Sequence, residues 1–327
     1  MFSDVIGHDE VIKNLRNAII SERIANGYIF SGPDEVGKEL IAINFAKALN
    51  CKEMEGDFCD KCVSCRRIND GNHTDVRLII PEGAKLKIEQ MRFLKKQSSY
   101  KSLESSHKIY IIRDADRMTL EAANSMLKTL EEPSGVVLFV LLTTVYNALL
   151  PTIRSRCQLV RLSLVPQATI ENDLMNRGIA ESKARWLAIK SQGKPGKAIK
   201  LAKDAKANPD EDLPLILSVI AQRDKGHLLE VFKRVEEINK TEDSIENILS
   251  WYRDILLVKN GCNGNILTHN DEFPRLQEIA KSYSVMELEN LIKMLLDMEN
   301  LIKRNINPVL AMEVMMFNKY GSLSTRL

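Results

Sequence analysis

The residues with the clearest chemical meaning form a glycine-containing loop near the N-terminus. Residues 31–39 read Ser-Gly-Pro-Asp-Glu-Val-Gly-Lys-Glu, a G-x-x-x-x-G-K pattern with Gly32, Gly37 and Lys38 at its defining positions. In this pattern backbone N–H groups and the lysine hold phosphates, and a following Ser or Thr binds Mg²⁺. Glu39 stands at the metal position instead and directs negative charge at a triphosphate. The sequence therefore predicts a phosphate loop that does not hydrolyse ATP and that binds nucleotide weakly at most.

The segments on either side of the loop fit this interpretation. Residues 27–30 form a short β-prone run, and residues 39–49 have the apolar spacing of a helix. A strand, a glycine turn and a helix N-terminus together form the arrangement that an anion site needs. A chance occurrence of the short pattern is the alternative, and the flanking elements count against it.

Four closely spaced cysteines form a second candidate site. In the pattern C-x₇-C-x₂-C-x₂-C they are Cys51, Cys59, Cys62 and Cys65. Four thiolates close a tetrahedron around zinc and leave no position for water, so such a site stabilises a loop without taking part in chemistry. The charged residues of this segment indicate that it is too polar to bury, which argues against ordinary core cysteines. We predict structural Zn²⁺, with free thiols or an iron–sulfur cluster as alternatives. The isolated Cys157 and Cys262 are interpreted as buried small apolar residues.

An apolar strand farther along the chain ends where an ATPase would place its acids. Residues 108–112 are followed by Arg113 and Asp114. In a nucleotide-binding fold such a strand delivers one carboxylate that holds Mg²⁺ and a second that activates water. Arg113 replaces the metal-binding acid, and Asp114 is one carbon shorter than the usual Glu. We interpret Glu39 and Arg113 as two independent departures that together remove both metal-handling groups.

Two arginines follow the next apolar strand, at residues 136–144. Arg154 and Arg156 lie where a helix in the segment 147–157 would end. An arginine presented across a subunit boundary to a γ-phosphate stabilises the charge that develops in phosphoryl transfer, typically by about 10³ to 10⁵ in rate. Arg156 is our candidate for this role, with Arg154 in support. A surface arginine in the last turn of a helix is the alternative.

Five ordered motifs within the first 205 residues resemble the clamp-loader AAA+ family. Residues 124–133, Asn-Ser-Met-Leu-Lys-Thr-Leu-Glu-Glu-Pro, resemble its N-x-L-L-K-x-L-E-E-P signature, and residues 155–157 resemble its Ser-Arg-Cys motif. The opening Ile-Gly-His at 6–8, the phosphate loop and the four-cysteine insert follow the family in order and spacing. The resemblance implies an α/β plus all-α fold. Its parts would be a AAA+ P-loop domain with a parallel sheet and zinc-binding insert at 1–165, a three-helix lid at 166–207, and a helical collar domain for oligomerisation at 208–327.

The same resemblance implies a role within a complex. The gamma/tau subunits of this family keep Ser or Thr after the loop lysine, acids on the strand, and an ATP-sensing arginine where Gly196 stands here. A chain with the arginine motif and the zinc module but without these groups resembles the non-hydrolysing members. The resemblance implies gamma/tau and delta subunits as partners in a DNA polymerase holoenzyme that loads a sliding clamp onto primed DNA. Arg156 would then act in trans on a neighbouring ATPase subunit.

The resemblance also suggests a weak contact with DNA. It puts Lys85 and Lys87 where motor subunits use basic residues at a helix start to touch duplex phosphate. Cations near a helix N-terminus bind an anion together with its free N–H groups. A solvated basic surface is the alternative.

Composition and charge limit the other classes of function. A net charge of +2 over 327 residues does not indicate a generally basic nucleic-acid binder. The start lacks a leader pattern and the longest apolar run, 136–142, is too short to span a bilayer, so we expect a cytoplasmic protein without membrane contact. Two alternatives stay open: an active AAA+ ATPase of gamma/tau type, and a zinc-dependent nucleic-acid adapter. The adapter would need aromatic side chains for stacking, and Phe58 is the one available in the cysteine module.

Periodicity predicts the remaining elements. In the first domain it adds a strand at 76–81, a helix at 87–97 with Phe93 on its apolar face, and a helix at 119–133 with Leu120 on its apolar face. The second half is predicted to be helical, with a linker at 208–210. Its helices are predicted at 170–177, 182–191, 197–206, 213–223, 225–239, 241–259, 272–283, 285–302 and 308–320.

Overall fold

The computed structural model describes residues 1–100, 102, 105–131, 135–203, 241–262, 267–269 and 272–302. The chain divides into two compact units, residues 1–204 and 205–327, and each is described by itself. Among the described helices, none combines the length and the apolar character that a membrane span requires.

A five-stranded parallel sheet forms the centre of the first unit. Its strands lie in the order β2-β3-β4-β1-β5, and every neighbouring pair is parallel. The strands are β1 Gly27–Ser31, β2 Val76–Ile79, β3 Lys108–Ile112, β4 Val137–Thr143 and β5 Gln158–Arg161. Because parallel neighbours need crossover connections, the sheet has helices on its faces, and the loops after the strands meet at one edge. This edge carries the phosphate loop.

The helices of the first unit alternate with the strands. They are α1 Asp9–Ile20, α2 Lys38–Asn50, α3 Val63–Asn69, α4 Ile88–Ser98, α5 Leu120–Glu131, α6 Pro151–Arg154, α7 Gln167–Asn176, α8 Glu181–Lys190 and α9 Pro195–Lys203. Short 3₁₀ turns lie at Phe2–Asp4, Ala115–Arg117 and Tyr146–Ala148. Helices α7 to α9 have their own apolar core, which Ile6 and Val165 join. The α/β fold with a three-helix lid is confirmed.

Alternation along the strands builds a core on each face of the sheet. Ile109 and Ile111 of β3 pack into one apolar cluster, whereas Tyr110 and Ile112 pack into the other. Successive side chains of a strand point to opposite faces, so a strand that is covered on both sides is apolar throughout. The sheet therefore holds the loops at its edge on a rigid base.

Several expectations about local structure need correction. The strand predicted at 76–81 ends at Ile79, and the pattern did not predict α1, α3 and β5. Phe93 and Leu120 were predicted to be apolar contacts but are 46% and 61% exposed. Phe93 instead lies beneath the guanidinium of Arg77, with the ring centroid 5.7 Å away. Cys157 and Cys262 are half-buried and not fully buried.

The described part of the second unit is helical. Its helices are α10 Thr241–Lys259, α11 Phe273–Ser282 and α12 Val285–Ile302, close to three of the predicted segments. Trp251, Tyr252 and Ile255 are buried in the shared core of these helices. The predicted helices at 213–223, 225–239 and 308–320 and the linker at 208–210 lie outside the described residues.

Candidate functional site

The phosphate loop lies at the edge of the sheet between β1 and α2. The N–H of Gly32 donates to the carbonyl oxygen of Thr143 at the end of β4, at 3.2 Å, which joins the start of the loop to the sheet. Gly37 has a φ of 108°, a conformation that residues with a side chain rarely adopt, and it is followed directly by α2. The predicted strand, glycine turn and helix start are thus all present.

Lys38 is bonded to the loop that contains it. Its Nζ donates to the carbonyl oxygens of Gly32 and Pro33, at 2.7 and 2.6 Å, and lies 3.5 Å from a carboxylate oxygen of Asp34. The side chain is only 10% exposed. Burial lowers the pKa of Lys38, and the nearby carboxylates, Asp34 first among them, oppose that change. The ammonium that would hold phosphates is satisfied by the protein itself.

Glu39 and Arg113 form an ion pair beside this lysine. One carboxylate oxygen of Glu39 lies 2.6 Å from Nε and 2.5 Å from Nη2 of Arg113. The two residues are 74 positions apart in the chain, one in the first turn of α2 and the other directly after β3. The interpretation of two independent departures is therefore wrong, because each charge is the partner of the other. The opposite charges at the two metal-handling positions were the signal for this ion pair in the sequence. Only the fold shows that the two positions lie side by side.

The acids after β3 are also bonded within the protein. Asp116 accepts hydrogen bonds from the Thr143 hydroxyl at 2.5 Å and from the Thr144 N–H at 3.3 Å. Asp114 has a left-handed φ of 50°, and a carboxylate oxygen lies 3.8 Å from Arg117. Asp114 is thus not alone at this edge, and Asp116 is a neighbour that the sequence analysis did not identify.

The helix α9 packs directly on the phosphate loop. The N–H of Gly196 donates to the carbonyl oxygen of Glu35 at 2.8 Å, and Lys200 Nζ lies 2.5 Å from the Glu35 carboxylate. A Cβ at position 196 would lie 2.8 Å from that carbonyl oxygen, closer than side chains are found. An arginine at this position is therefore incompatible with the observed packing of α9.

The four predicted cysteines come together. The Sγ atoms of Cys51, Cys59, Cys62 and Cys65 all lie within 4.8 Å of one another. A tetrahedral Zn–S site needs sulfur atoms about 3.8 Å apart, so this donor set fits zinc closely. Cys59 Sγ accepts hydrogen bonds from the N–H groups of Cys62 and Lys61, which lower its pKa to about 7. Thiolate formation is favoured there, as metal binding requires.

The cysteine insert is more buried than its sequence suggested. Asp57, Phe58 and Cys65 are all less than 5% exposed, whereas most charged residues of the segment stay exposed. The Asp57 carboxylate is satisfied by the N–H groups of Phe2 and Phe58 and by the Arg16 guanidinium. A buried carboxylate with several donors carries no large penalty. Asp57 is the buried exception among the charged residues of the insert, because the fold supplies its partners.

Arg156 lies at the rim of the first unit, one residue after the turn that ends α6. Its Nη1 donates to the carbonyl oxygen of Thr152 at 3.0 Å and to the Ser155 hydroxyl at 3.3 Å, and its Nη2 lies 2.7 Å from a carboxylate oxygen of Glu131. The side chain is 37% exposed. Arg154, by contrast, lies over the Tyr146 ring and donates to the Asn147 side chain. Arg154 is thus a packing residue in this structure.

Lys85 and Lys87 lie near the start of α4. Lys87 is the residue before the helix, and its N–H donates to the Gln90 side chain at 3.3 Å. Lys85 pairs with Glu82 through a backbone bridge, and both lysine side chains are exposed. The structure brings the two cations to one helix end, and a contact with DNA stays a prediction.

Comparison with known proteins gives one consistent answer. A family model described as DNA polymerase III, delta subunit, matches residues 7–166, and a model of the C-terminal part of that subunit matches residues 214–319. The chain is 33% identical to DNA polymerase III subunit delta' of Bacillus subtilis over 91% of both chains. It is 27% identical to DNA polymerase III subunit tau of the same organism over 89% of this chain, and it spans 57% of that relative's length.

A gamma subunit-related protein of DNA polymerase III from Thermotoga maritima is similar in structure, with 20% identity and a TM-score of 0.47 over 93% of this chain and 97% of that one. The sheet, the loop and the sequence matches define a clamp-loader subunit with the AAA+ fold. The chain belongs to the delta' family of DNA polymerase III subunits. The family resemblance found in the sequence is confirmed.

Proposed function

We propose that this subunit does not hydrolyse ATP and instead acts on the ATP of a neighbouring subunit through Arg156. The observation that carries the first half is the Glu39–Arg113 ion pair in the phosphate loop, with contact distances of 2.5 and 2.6 Å. It joins the residue at the Mg²⁺ position to the residue at the metal-binding acid position. An ion pair within the protein thus occupies both positions whose side chains would otherwise hold Mg²⁺.

The surroundings of the loop support this half. A triphosphate would have to take Lys38 away from two carbonyl oxygens and would face the Glu39 carboxylate. The close approach of Gly196 to Glu35 also leaves no room for a sensing arginine at that position. Each contact adds to the cost of opening the loop, so nucleotide binding is expected to be weak and hydrolysis absent.

Arg156 supports the second half of the proposal. Its guanidinium is at the rim, more than a third exposed, and held by two hydrogen bonds and an ion pair. A positioned guanidinium is suited to a phosphate, because its planar fork bridges two oxygens. The neighbour would be a gamma/tau subunit, with a delta subunit, the sliding clamp and primed DNA in the working complex in the cytoplasm.

The zinc module has a structural role in this proposal. Phe58, the one aromatic of the module, is 1% exposed and packs edge-on against Phe2, so it is unavailable for stacking on a base. This argues against the nucleic-acid adapter. The same proposal includes the domain boundaries at 165 and 207, the collar at 208–327 and the weak phosphate contact of Lys85 and Lys87.

The experiment compares the isolated chain with a reconstituted complex. The isolated chain should show no ATP hydrolysis above background, whereas Mg²⁺-dependent turnover that Lys38→Ala abolishes would establish the gamma/tau-type alternative. In the complex, Arg156→Ala should leave assembly intact and lower DNA-stimulated ATPase without reducing it to background. This loss is smaller than for a sole-site enzyme because other ATP sites remain.

Two further variants separate charge from geometry. Arg156→Lys should rescue poorly, since an ammonium is a point charge. Arg177→Ala is the matched control, because Arg177 is also paired with a carboxylate, that of Asp173, at 2.5 Å. A complex with Arg156→Ala that loads clamps at the wild-type rate at limiting ATP would show that the arginine is structural.

A further inference from the structure

Arg156 owes part of its position to a residue from another element. Thr152 and Ser155 are within four positions of Arg156 in the chain and contact only Nη1. Glu131 is the last residue of α5, and its carboxylate oxygen lies 2.7 Å from Nη2. The long-range contact is therefore made by Glu131, and it sets the direction of the guanidinium relative to the sheet.

Both partners stand on rigid backbone. Leu130, directly before Glu131, is 6% exposed in the core below the sheet. Cys157, directly after Arg156, packs on the same core and lies close to Gly27 of β1. A side chain is held in a defined place only if the residue that holds it is itself fixed. Packing on both sides supplies this condition.

We propose that Glu131 is a positioning residue for Arg156, which it holds ready for the phosphate of a neighbouring subunit. The inference rests on the proposed function of Arg156. An arginine side chain loses considerable rotamer freedom when it is fixed. If Glu131 restricts those rotamers before the subunits meet, the neighbour's site meets an arginine that is already ordered.

The geometry distinguishes positioning from sequestration. Within the described part of the chain, Nε–H of Arg156 has no hydrogen-bond partner, and the Glu131 carboxylate lies 2.7 Å from Nη2. The Nε side of the guanidinium can thus meet a phosphate while the carboxylate stays in place. Glu131 is 46% exposed, so the ion pair itself is screened and adds little to folding stability.

The first measurement is the mobility of Arg156 in the isolated subunit. Relaxation of the Arg156 Nε–H group by ¹⁵N NMR should show restricted motion in the wild type and increased motion in Glu131→Ala. Glu131→Gln, which keeps an acceptor oxygen but loses the charge, should lie between them. Asp173→Ala, which removes the carboxylate partner of Arg177, is the control and should leave Arg156 unchanged. Equal mobility of Arg156 in the wild type and Glu131→Ala overturns the inference.

The second measurement is a double-mutant cycle in the reconstituted complex. Glu131→Ala should cause part of the loss in DNA-stimulated ATPase that Arg156→Ala causes, as expected for the lost ordering of one long side chain. The effect should vanish when Arg156 is already alanine, because Glu131 acts through it. A loss of the same size in the Arg156→Ala background would mark a structural role and overturn the inference.

The ATPase rates of Arg156→Ala and Glu131→Ala also separate this inference from the proposed function. Impaired Arg156→Ala with normal Glu131→Ala overturns the positioning role alone. If Arg156→Ala is itself fully active, the action in trans is overturned and the catalytic part of the inference falls with it. The mobility measurement then decides whether Glu131 fixes the side chain.

Discussion

Arg113 and Arg156 are similar in exposure and different in availability. The two side chains are 39% and 37% exposed, and each is paired with a glutamate. Arg113 directs both Nε and Nη2 at one oxygen of Glu39, so the side edge of its guanidinium is occupied. Arg156 meets its acceptors through Nη1 and Nη2 and leaves Nε unbonded within the described residues. The two arginines differ in which edge of the guanidinium is bonded, and not in how much of the side chain is exposed. This difference distinguishes an internal ion pair from an arginine that can bind a group outside the subunit.

The neighbourhoods of the two arginines differ in the same sense. Around Arg113, Lys38 is bonded to loop carbonyls and Gly196 is packed on Glu35, so the polar groups are satisfied by the protein. Among the residues that the structure describes, Arg156 has one partner distant in sequence, Glu131, and it lies at the rim. A site whose groups satisfy one another has little to offer a ligand, whereas a held but incompletely bonded group can still bind.

Removal of zinc should cause the largest loss of folding stability, and the phosphate-loop region should lose the most. Helix α2 begins at Lys38 and is followed directly by Cys51, so a metal bound by the four cysteines would stabilise the far end of the helix that carries Glu39. Chelation or Cys51→Ser should cost several kcal/mol of folding free energy, because metal binding adds to the stability of the native state. Thermal melting and hydrogen exchange would measure it, with faster exchange in α2 than around Arg156.

Cys262→Ser is the matched control, since this half-buried cysteine belongs to the second unit. It should change neither the metal content nor the exchange of α2. Metal analysis should give one zinc per chain. Less than about half an equivalent, or an iron–sulfur absorption band, would contradict a closed four-thiolate zinc site.

Restoring the metal-handling residues should make the phosphate loop available to a ligand. Glu39→Thr combined with Arg113→Asp supplies a hydroxyl and a carboxylate and removes both members of the ion pair together. Affinity for Mg²⁺·ATP, measured by calorimetry, should rise by at least about tenfold, or about 1.4 kcal/mol. Hydrolysis should stay absent because Gly196 is unchanged.

Lys38→Ala in the restored background is the control and should abolish the gain. Each single change leaves one charge without its partner, so neither alone should restore affinity. Equal nucleotide affinity in the wild type and the double variant would mean that the Glu39–Arg113 pair does not limit binding.

The Glu39–Arg113 ion pair itself should make the smallest contribution, which is to the free energy of unfolding. A double-mutant cycle with Glu39→Gln and Arg113→Gln should give a coupling of about 0.5–1 kcal/mol in urea unfolding, a value reduced by the exposure of both side chains. High salt should lower this coupling. The same cycle for Glu131 and Arg156 should give less, because Glu131 is 46% exposed and Glu39 only 33%. No coupling in the first pair would remove the distinction between the two arginines.

Local patterns were enough for much of the fold and for the identity of the candidate sites. The glycine spacing identified the phosphate loop, and the thiol spacing identified the four cysteines that the structure brings within 4.8 Å. Strands β1, β3 and β4 were predicted because strands covered on both faces are continuously apolar. Edge strand β5 and the short helix α3 were missed, since a short amphipathic segment has little periodicity to detect.

The sequence by itself determined which residues are unusual: Glu39 and Arg113 at metal-handling positions, Gly196 in place of an arginine, and Arg156 in a family motif. Only the tertiary structure decided how they relate. It joined Glu39 to Arg113 across 74 residues, set Gly196 against Glu35, and gave Arg156 the carboxylate of Glu131. The physical reason is that the order of residues in the chain directly gives side-chain identity and short-range spacing. The partner of a charge, by contrast, depends on which strands and helices the sheet brings side by side.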